Sequence, residues 1–302
     1  MMENPGFKIP LLPQNELDAV ENKILDIPYA SQSETQKLDL YFPEDIAKPC
    51  PLIIHFHGGA FLFGTRRDDN LRPMLRALQH GYALASVEYR LSGEARFPAL
   101  VYDCKAAIRF LRANAKEYGI QPDQIVVWGP SAGGYLAAMI GTTQGNPAFE
   151  DLSMGNEYVS SDVQAVIDWC GPAGDFCMMD DQIRENGYGV ADHDHPLSPE
   201  SRLLGHAIQE VQELSMLAAP ITHVSKNIPP FMIHHGKSDE IVPVQQSVAL
   251  AKRIEEVAGP EKVILHVFEG KGHHGQPWYD DPSLTNEIFS FLDHVFSGGL
   301  PT

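Results

Sequence analysis

No stretch of this chain approaches the roughly 20 consecutive apolar residues needed to cross a bilayer, and no internal repeat or low-complexity tract is visible. Cysteine is scarce. Cys50, Cys104, Cys170 and Cys177 form no CxxC pair and read as reduced, mostly buried thiols of a cytoplasmic protein. Cys170 and Cys177 stand close enough in sequence to bridge, and whether they pair is left open. Basic residues are few: 22 Lys and Arg stand against 40 Asp and Glu, a formal net charge of -18. Such a charge repels phosphate backbones and anionic lipid surfaces, so nucleic acid and membrane are poor partners. Glycine-rich phosphate loops, zinc-ligand spacings and basic–aromatic alternation are missing as well. The opening MMENPGFKIPLLPQNELDAVENK has neither the charged start nor the apolar stretch and small-residue cleavage site of a signal peptide. A cytoplasmic location is the resulting expectation.

What is present is a chain of 302 residues, 43% hydrophobic, long enough for one sizeable α/β domain. Short apolar runs alternate with longer amphipathic ones, the pattern of a mostly parallel sheet covered by helices. Strands are expected at KILDIPYA, KLDLYFP, PLIIHFHG, YALASVEYR, IVVWG, VQAVIDWCG, PFMIHHG and KVILHVFEG. The first two alternate apolar and polar positions, as a half-solvated antiparallel edge does; the later ones are almost continuously apolar, as strands buried on both faces are. Helices are expected over PALVYDCKAAIRFLRANAKEYG, stopped by Gly119, over VPVQQSVALAKRIEEVAG, and over LTNEIFSFLDHVFS. Residues 1–20 read as an N-terminal arm. Residues 171–222 break the rhythm and read as a cap or insertion over the carboxyl edge of the sheet, where α/β folds bind ligands.

One stretch carries chemistry. In IVVWGPSAGGYLAAMIG a strand ends in Gly129-Pro130-Ser131-Ala132-Gly133 and a helix starts at once, which is the strand–turn–helix context of a Gly-x-Ser-x-Gly nucleophile elbow. The turn strains the serine backbone, so residues two places away must be small, and the helix start offers free N–H groups and a positive dipole end. By itself the motif is weak, since a turn serine capping a helix reads the same way.

A hydroxyl needs a base, and the base a third group to hold it. In this architecture they follow in the order serine, acid, histidine, each after a later strand. Asp239 in MIHHGKSDEIVP and His273 or His274 in VFEGKGHHGQPW occupy those places. His273, directly after the Gly270-Lys271-Gly272 turn, is favoured over His274. Asp168 and Asp175 come too early in the chain to be the acid, and Glu240 is expected to face away. His234 and His235 read as structural histidines of a strand end. For the oxyanion, His57-Gly58-Gly59-Ala60 ends an early strand with two glycines whose amides are free to turn toward a carbonyl, and Ala132 N–H completes the set.

The series HGGAF, VEYRL, GPSAGG, SDEIVP and GKGHH, in that order, resembles the hormone-sensitive-lipase-like branch of the α/β-hydrolases, most closely its acetyl and feruloyl esterase-type carboxylesterases. The resemblance runs from about Lys37 to near the C-terminus. It implies an α/β-hydrolase fold, Ser131 as nucleophile, His273 as base, Asp239 as orienting acid, and Gly58, Gly59 and Ala132 as oxyanion donors. Ala60 departs from the branch's third glycine, Pro130 from its acidic residue or histidine, and His274 from its usual glycine.

Other features are weaker. Asp192, His193, Asp194 and His195 alternate along a loop and do not easily converge on one ion; proton uptake below about pH 6.5 is the simpler reading. Arg66 to Asn70 reads as a helix start with an aspartate near its positive end. Phe61, Tyr135, Trp169 and Trp278 flank the catalytic loops and are candidates for lining an acyl or alcohol pocket. The expectation is a serine carboxylesterase for short-chain or small aryl esters, without metal or cofactor, its oligomeric state open and a homodimer among the options. An amide-cleaving hydrolase and a catalytically silent binding protein of the same fold are the alternatives.

Overall fold

The computed structural model describes residues 8–45, 49–273 and 281–299. All eight expected strands form: β1 (Lys23–Pro28), β2 (Lys37–Tyr41), β3 (Cys50–Phe56), β4 (Ala83–Val87), β5 (Ile120–Pro130), β6 (Ala165–Trp169), β7 (Phe231–Gly236) and β8 (Val263–Phe268). They make one sheet in the order β1-β2-β4-β3-β5-β6-β7-β8. The β1–β2 and β2–β4 pairs are antiparallel and every later pair is parallel.

Among the described residues ten α-helices accompany them. α1 (Gln14–Asp18) and α2 (Leu71–Met74) are single turns; α3 (Ala99–Ala113) and α4 (Ala115–Tyr118) follow β4. The expected continuous helix breaks at Asn114, whose φ and ψ of -100° and 15° are not helical. α5 (Ala132–Thr142) follows β5 without a connecting loop. α6 (Met179–Asn186), α7 (Pro199–Leu204) and α8 (Gln212–Ala218) lie within residues 171–222, and α9 (Gln245–Ala258) and α10 (Pro282–Phe296) flank β8 in the chain. The sheet separates two apolar layers. One gathers α3, α5 and α9 with Leu52, Val127 and Ile233; the other gathers α10 with Ile53, Trp128, Trp169 and Met232. Alternate residues of each strand supply the two layers, as the strand pleat requires.

β2 differs from its expected half-solvated state: it is buried from Leu38 to Tyr41, because β4 and β1 flank it. Its polar position Asp39 is fully buried and held by Arg67, whose Nε and Nη2 donate at 2.5 and 2.8 Å. Arg66 Nε stands 3.2 Å from the same carboxylate. The segment Arg66 to Asn70 therefore serves an internal ion-pair cluster. Asp68 accepts from Thr65 N and Asn70 N, a turn placed before α2 and not in its first turn.

Within 171–222, His193 joins the insertion to the loop after β7. Its ring donates from Nδ1 to Glu200 at 3.2 Å and from Nε2 to the Ile241 carbonyl at 3.0 Å. Burial pushes its pKa down, but the Glu200 hydrogen bond and charge outweigh that and raise it to about 9. It thus keeps its proton at neutral pH, where the sequence suggested uptake only below about 6.5. Among the described residues all four cysteines are free thiols; Cys50, Cys104 and Cys170 are buried. No helix among the described residues is long and apolar enough to cross a membrane.

Candidate active site

β5 delivers Ser131 at its carboxyl end. Ser131 has φ 55° and ψ -121°, a region L-residues avoid at a cost of about 1–3 kcal/mol. Two bonds hold it there: its N–H donates to the Trp169 carbonyl at 2.7 Å, and its carbonyl accepts Tyr135 N–H at 2.9 Å. The flanking glycines are explained by close approach. A Cβ on Gly129 would lie 2.5 Å from the Phe56 carbonyl oxygen, and one on Gly133 would run into that same oxygen. The turn fits against β3 only without side chains at these two places.

Asp239 lies three residues beyond β7 and is fully buried. Its Oδ1 accepts the N–H groups of Ile241 at 2.9 Å and Val242 at 2.8 Å. Its Oδ2 accepts His273 Nδ1 at 2.7 Å, and His273 Nε2 stands 3.0 Å from Ser131 Oγ. Burial would raise the Asp239 pKa, but the His273 charge and the hydrogen bonds from His235 and His273 prevail and hold it well below the usual carboxylate range. With Oδ2 as acceptor, the neutral His273 ring carries its proton on Nδ1 and turns the Nε2 lone pair toward the serine hydroxyl. The acid and base loops are also joined through backbone: Lys237 N–H donates to the Phe268 carbonyl and Ser238 N–H to that of Lys271, at 2.9 and 3.0 Å.

The turn after β3 is strained. Gly59 has φ 121°, and Ala60 and Phe61 have φ 53° and 62°, so Ala60, standing in place of a glycine, takes a conformation in which glycine would be unstrained. Leu62 N–H and Phe63 N–H both donate to the Gly59 carbonyl, and Tyr89, stacked on His57 at 4.4 Å, donates its hydroxyl to the His57 carbonyl at 2.7 Å. Gly58, Gly59 and Ala132 are buried, and among the described residues no acceptor takes a hydrogen bond from their N–H groups. These three N–H groups lie on the turns after β3 and β5, the places from which backbone donors can meet an oxyanion.

Some positions differ from the sequence reading. Phe61, Tyr135 and Trp169 have 1%, 0% and 0% exposure. Phe61 packs edge-on to Tyr135, the Tyr135 hydroxyl donates to the Ala218 carbonyl, and Trp169 packs edge-on to Trp128. Their rings fill the core under the site and present no open wall to a substrate. Trp278 and His274 lie outside the described residues. Glu240 does not turn away: its carboxylate accepts the His273 N–H at 3.3 Å. Asp168 is fully buried beneath the elbow, where its Oδ1 accepts Gly171 N–H at 2.8 Å and burial raises its pKa to about 6.

The sequence reading missed what His235 does. It is a buried strand histidine as expected, but its Nε2 lies 3.1 Å from Asp239 Oδ2 and 2.9 Å from the Val242 carbonyl, while Ser247 donates to its Nδ1 at 2.7 Å. Strand alternation was the available signal: of two consecutive histidines, one must face the α9 side, where the acid loop returns. His235→Ala is expected to lower kcat about 10- to 100-fold with little change in KM, because the carboxylate behind His273 loses a donor and shifts. Steady-state kinetics beside a melting curve check this; an unchanged kcat would leave His235 a packing residue only. Cys170, with φ 47°, was also missed: its sulfur lies within 4.8 Å of ligand atoms of Asp239 and His273. Those two already bond each other at 2.7 Å, so the grouping is part of the hydrogen-bonded site.

Comparison with known proteins gives the same architecture. The family profile BD-FAE matches residues 38–254. A solved structure described as a truncated form of carbohydrate esterase from gut microbiota superposes with a TM-score of 0.80 at 29% identity, covering 95% of this chain and 99% of that one. The bifunctional GH43-CE of Bacteroides eggerthii gives 0.76 at 31% identity over 90% of this chain and 35% of its own. Esterase LipC of Mycobacterium tuberculosis is 30% identical over 240 residues, 79% of this chain and 56% of that protein. The chain spans about half the length of the curated relatives it matches first.

Proposed function

The chain belongs to the BD-FAE family, in the hormone-sensitive-lipase-like branch of the α/β-hydrolases, and from that premise we propose that it is a serine carboxylesterase acting on short-chain acyl or small aryl esters, of the acetyl or feruloyl type found on plant polysaccharide. The observation that carries the reading is the continuous series Ser131 Oγ, His273 Nε2, His273 Nδ1 and Asp239 Oδ2, joined at 3.0 and 2.7 Å.

Ser131 Oγ attacks the ester carbonyl as His273 Nε2 takes its proton. The developing oxyanion is met by the N–H groups of Gly58, Gly59 and Ala132, each worth about 3 kcal/mol at a comparable site. Asp239 stabilises the imidazolium without taking its proton, and His273 then protonates the leaving alcohol. Water, deprotonated by the same histidine, attacks the acyl-enzyme and releases the acid and the free serine. Support for acyl groups on carbohydrate comes from the two solved relatives described as a carbohydrate esterase and as a GH43-CE bifunctional protein.

The test is a panel of p-nitrophenyl acetate, butyrate and octanoate, methyl ferulate, acetylated xylan fragments and p-nitroacetanilide, run beside labelling with a fluorophosphonate. Acetyl and feruloyl esters are expected to turn over fastest, the anilide to fail, and one phosphonyl group to appear on Ser131. Preference for octanoate would overturn the short-acyl assignment, anilide turnover the ester assignment, and absence of label the serine mechanism.

A further inference from the structure

His234 poses a physical problem. It is fully buried, and neither ring nitrogen makes a hydrogen bond, although an unpartnered buried polar group costs about 1–3 kcal/mol. Because β7 side chains alternate, His235 faces α9 and the acid loop, and His234 faces α10. There it is registered directly against His266 of the parallel neighbour β8. The two rings stack at 5.7 Å, 9° from parallel, and Phe268 packs edge-on to both. From α10, Glu287 reaches between them: Oε1 is 2.6 Å from His266 Nδ1 and Oε2 is 3.5 Å from His234 Nε2. One ligand atom from each of the three residues falls within a 4.8 Å span.

We propose that His234, His266 and Glu287 form a binding site for one divalent transition-metal ion of the zinc class, on the α10 face of the sheet. Two imidazole nitrogens and one carboxylate oxygen suit zinc, cobalt or nickel and are a poor match for calcium or magnesium, which prefer all-oxygen shells. Donors bound to one zinc ion at about 2.1 Å stand roughly 3.4 Å apart. Glu287 Oε1 and His266 Nδ1, now 2.6 Å apart, must therefore separate, while the wider pairs within the 4.8 Å span close by up to about an ångström and a half. His266 and Glu287 can supply that movement, since their side chains are 39% and 31% exposed, and the same exposure opens the cluster to ions from solvent. Glu287 offsets half of the ion's charge, and a chain of net charge -18 concentrates cations at its surface. Coordination through Nε2 would give a partner to one of the two unbonded nitrogens of the buried His234 ring, which the Glu287 carboxylate at 3.5 Å does not. The ion would tie α10 to β7 and β8, the two strands whose extensions carry Asp239 and His273, so its role is structural and it takes no part in the proposed ester reaction.

The experiment uses the full chain without a histidine tag, stripped with chelator and titrated with zinc chloride and, separately, with cobalt chloride. One equivalent is expected to bind. The cobalt form should show the visible bands of a nitrogen- and oxygen-ligated ion, and the melting temperature should rise by about 5 °C at 100-fold excess over Kd. His266→Ala and Glu287→Gln, both at partly exposed positions, should each weaken binding at least about tenfold; circular dichroism checks their fold, and either one that folds suffices. Binding of equal strength in a folded variant, or none tighter than about 100 µM in the unaltered protein, overturns the site. A sulfur-to-cobalt charge-transfer band would place the ion at Cys170 beside His273 and also overturn it.

Discussion

Ser131→Ala is expected to lose about 10⁵- to 10⁶-fold in kcat toward p-nitrophenyl acetate while the protein stays folded. The change removes one hydroxyl, bonded to His273 Nε2 at 3.0 Å, from a residue that is 7% exposed, and it leaves the amide and carbonyl bonds of residue 131 in place. Alanine meets the same cost as serine at φ 55°, so the elbow gains no relief that would rearrange it. Residual hydrolysis should stay above the rate in water alone, because the N–H groups of Gly58, Gly59 and Ala132 are untouched. A melting temperature within a few degrees of the parent, together with kcat from initial rates, completes the measurement. Turnover within tenfold of the parent would refute the nucleophile assignment outright.

Asp239→Asn should cost about 10⁴-fold in kcat by a different route. The amide is nearly the same size as the carboxylate, and its oxygen can still accept the Ile241 and Val242 N–H groups that fix the loop. That orientation turns an NH₂ toward His273 Nδ1 and His235 Nε2, where Oδ2 now accepts at 2.7 and 3.1 Å. His273 must then accept at Nδ1 and carry its proton on Nε2, the tautomer that cannot deprotonate Ser131. Stability should fall as well. Folding lowers the Asp239 pKa, so its stabilisation is fully present above the unfolded value of about 4 and fades as pH drops below it. The deficit of the Asn variant should therefore be largest near neutrality and shrink on acidification. A variant with kcat within tenfold of the parent would show that another group orients the imidazole.

Much of the architecture was legible because local rules and tertiary packing agree. Each of the eight short apolar runs expected as strands is a strand, and the Gly129–Gly133 spacing follows from close approach, of both glycines to the Phe56 carbonyl and of Gly129 to the Gly133 backbone. Where reading failed, the deciding partner was remote in sequence. KLDLY looks half-solvated, yet Asp39 is buried because Arg66 and Arg67 reach it from about 28 residues away. Phe61 and Tyr135 stand beside the catalytic loops in sequence, but the turn after β3 and the face of α5 carry both rings into the core. The pair His234-His235 is the sharpest case: two identical neighbours whose surroundings differ entirely because they point to opposite faces.

By itself the sequence determined the α/β architecture, the order of strands along the chain, and which serine, carboxylate and imidazole come in the right succession, since periodicity and glycine requirements act over a few residues. Only the tertiary structure decided the distances of 2.7 and 3.0 Å that join those three groups, the tether from His235 to the acid, and the Glu287 carboxylate set between two stacked histidines. Such contacts join segments up to 142 residues apart; sheet pairing and helix packing place them, and no local pattern encodes where a distant side chain will arrive.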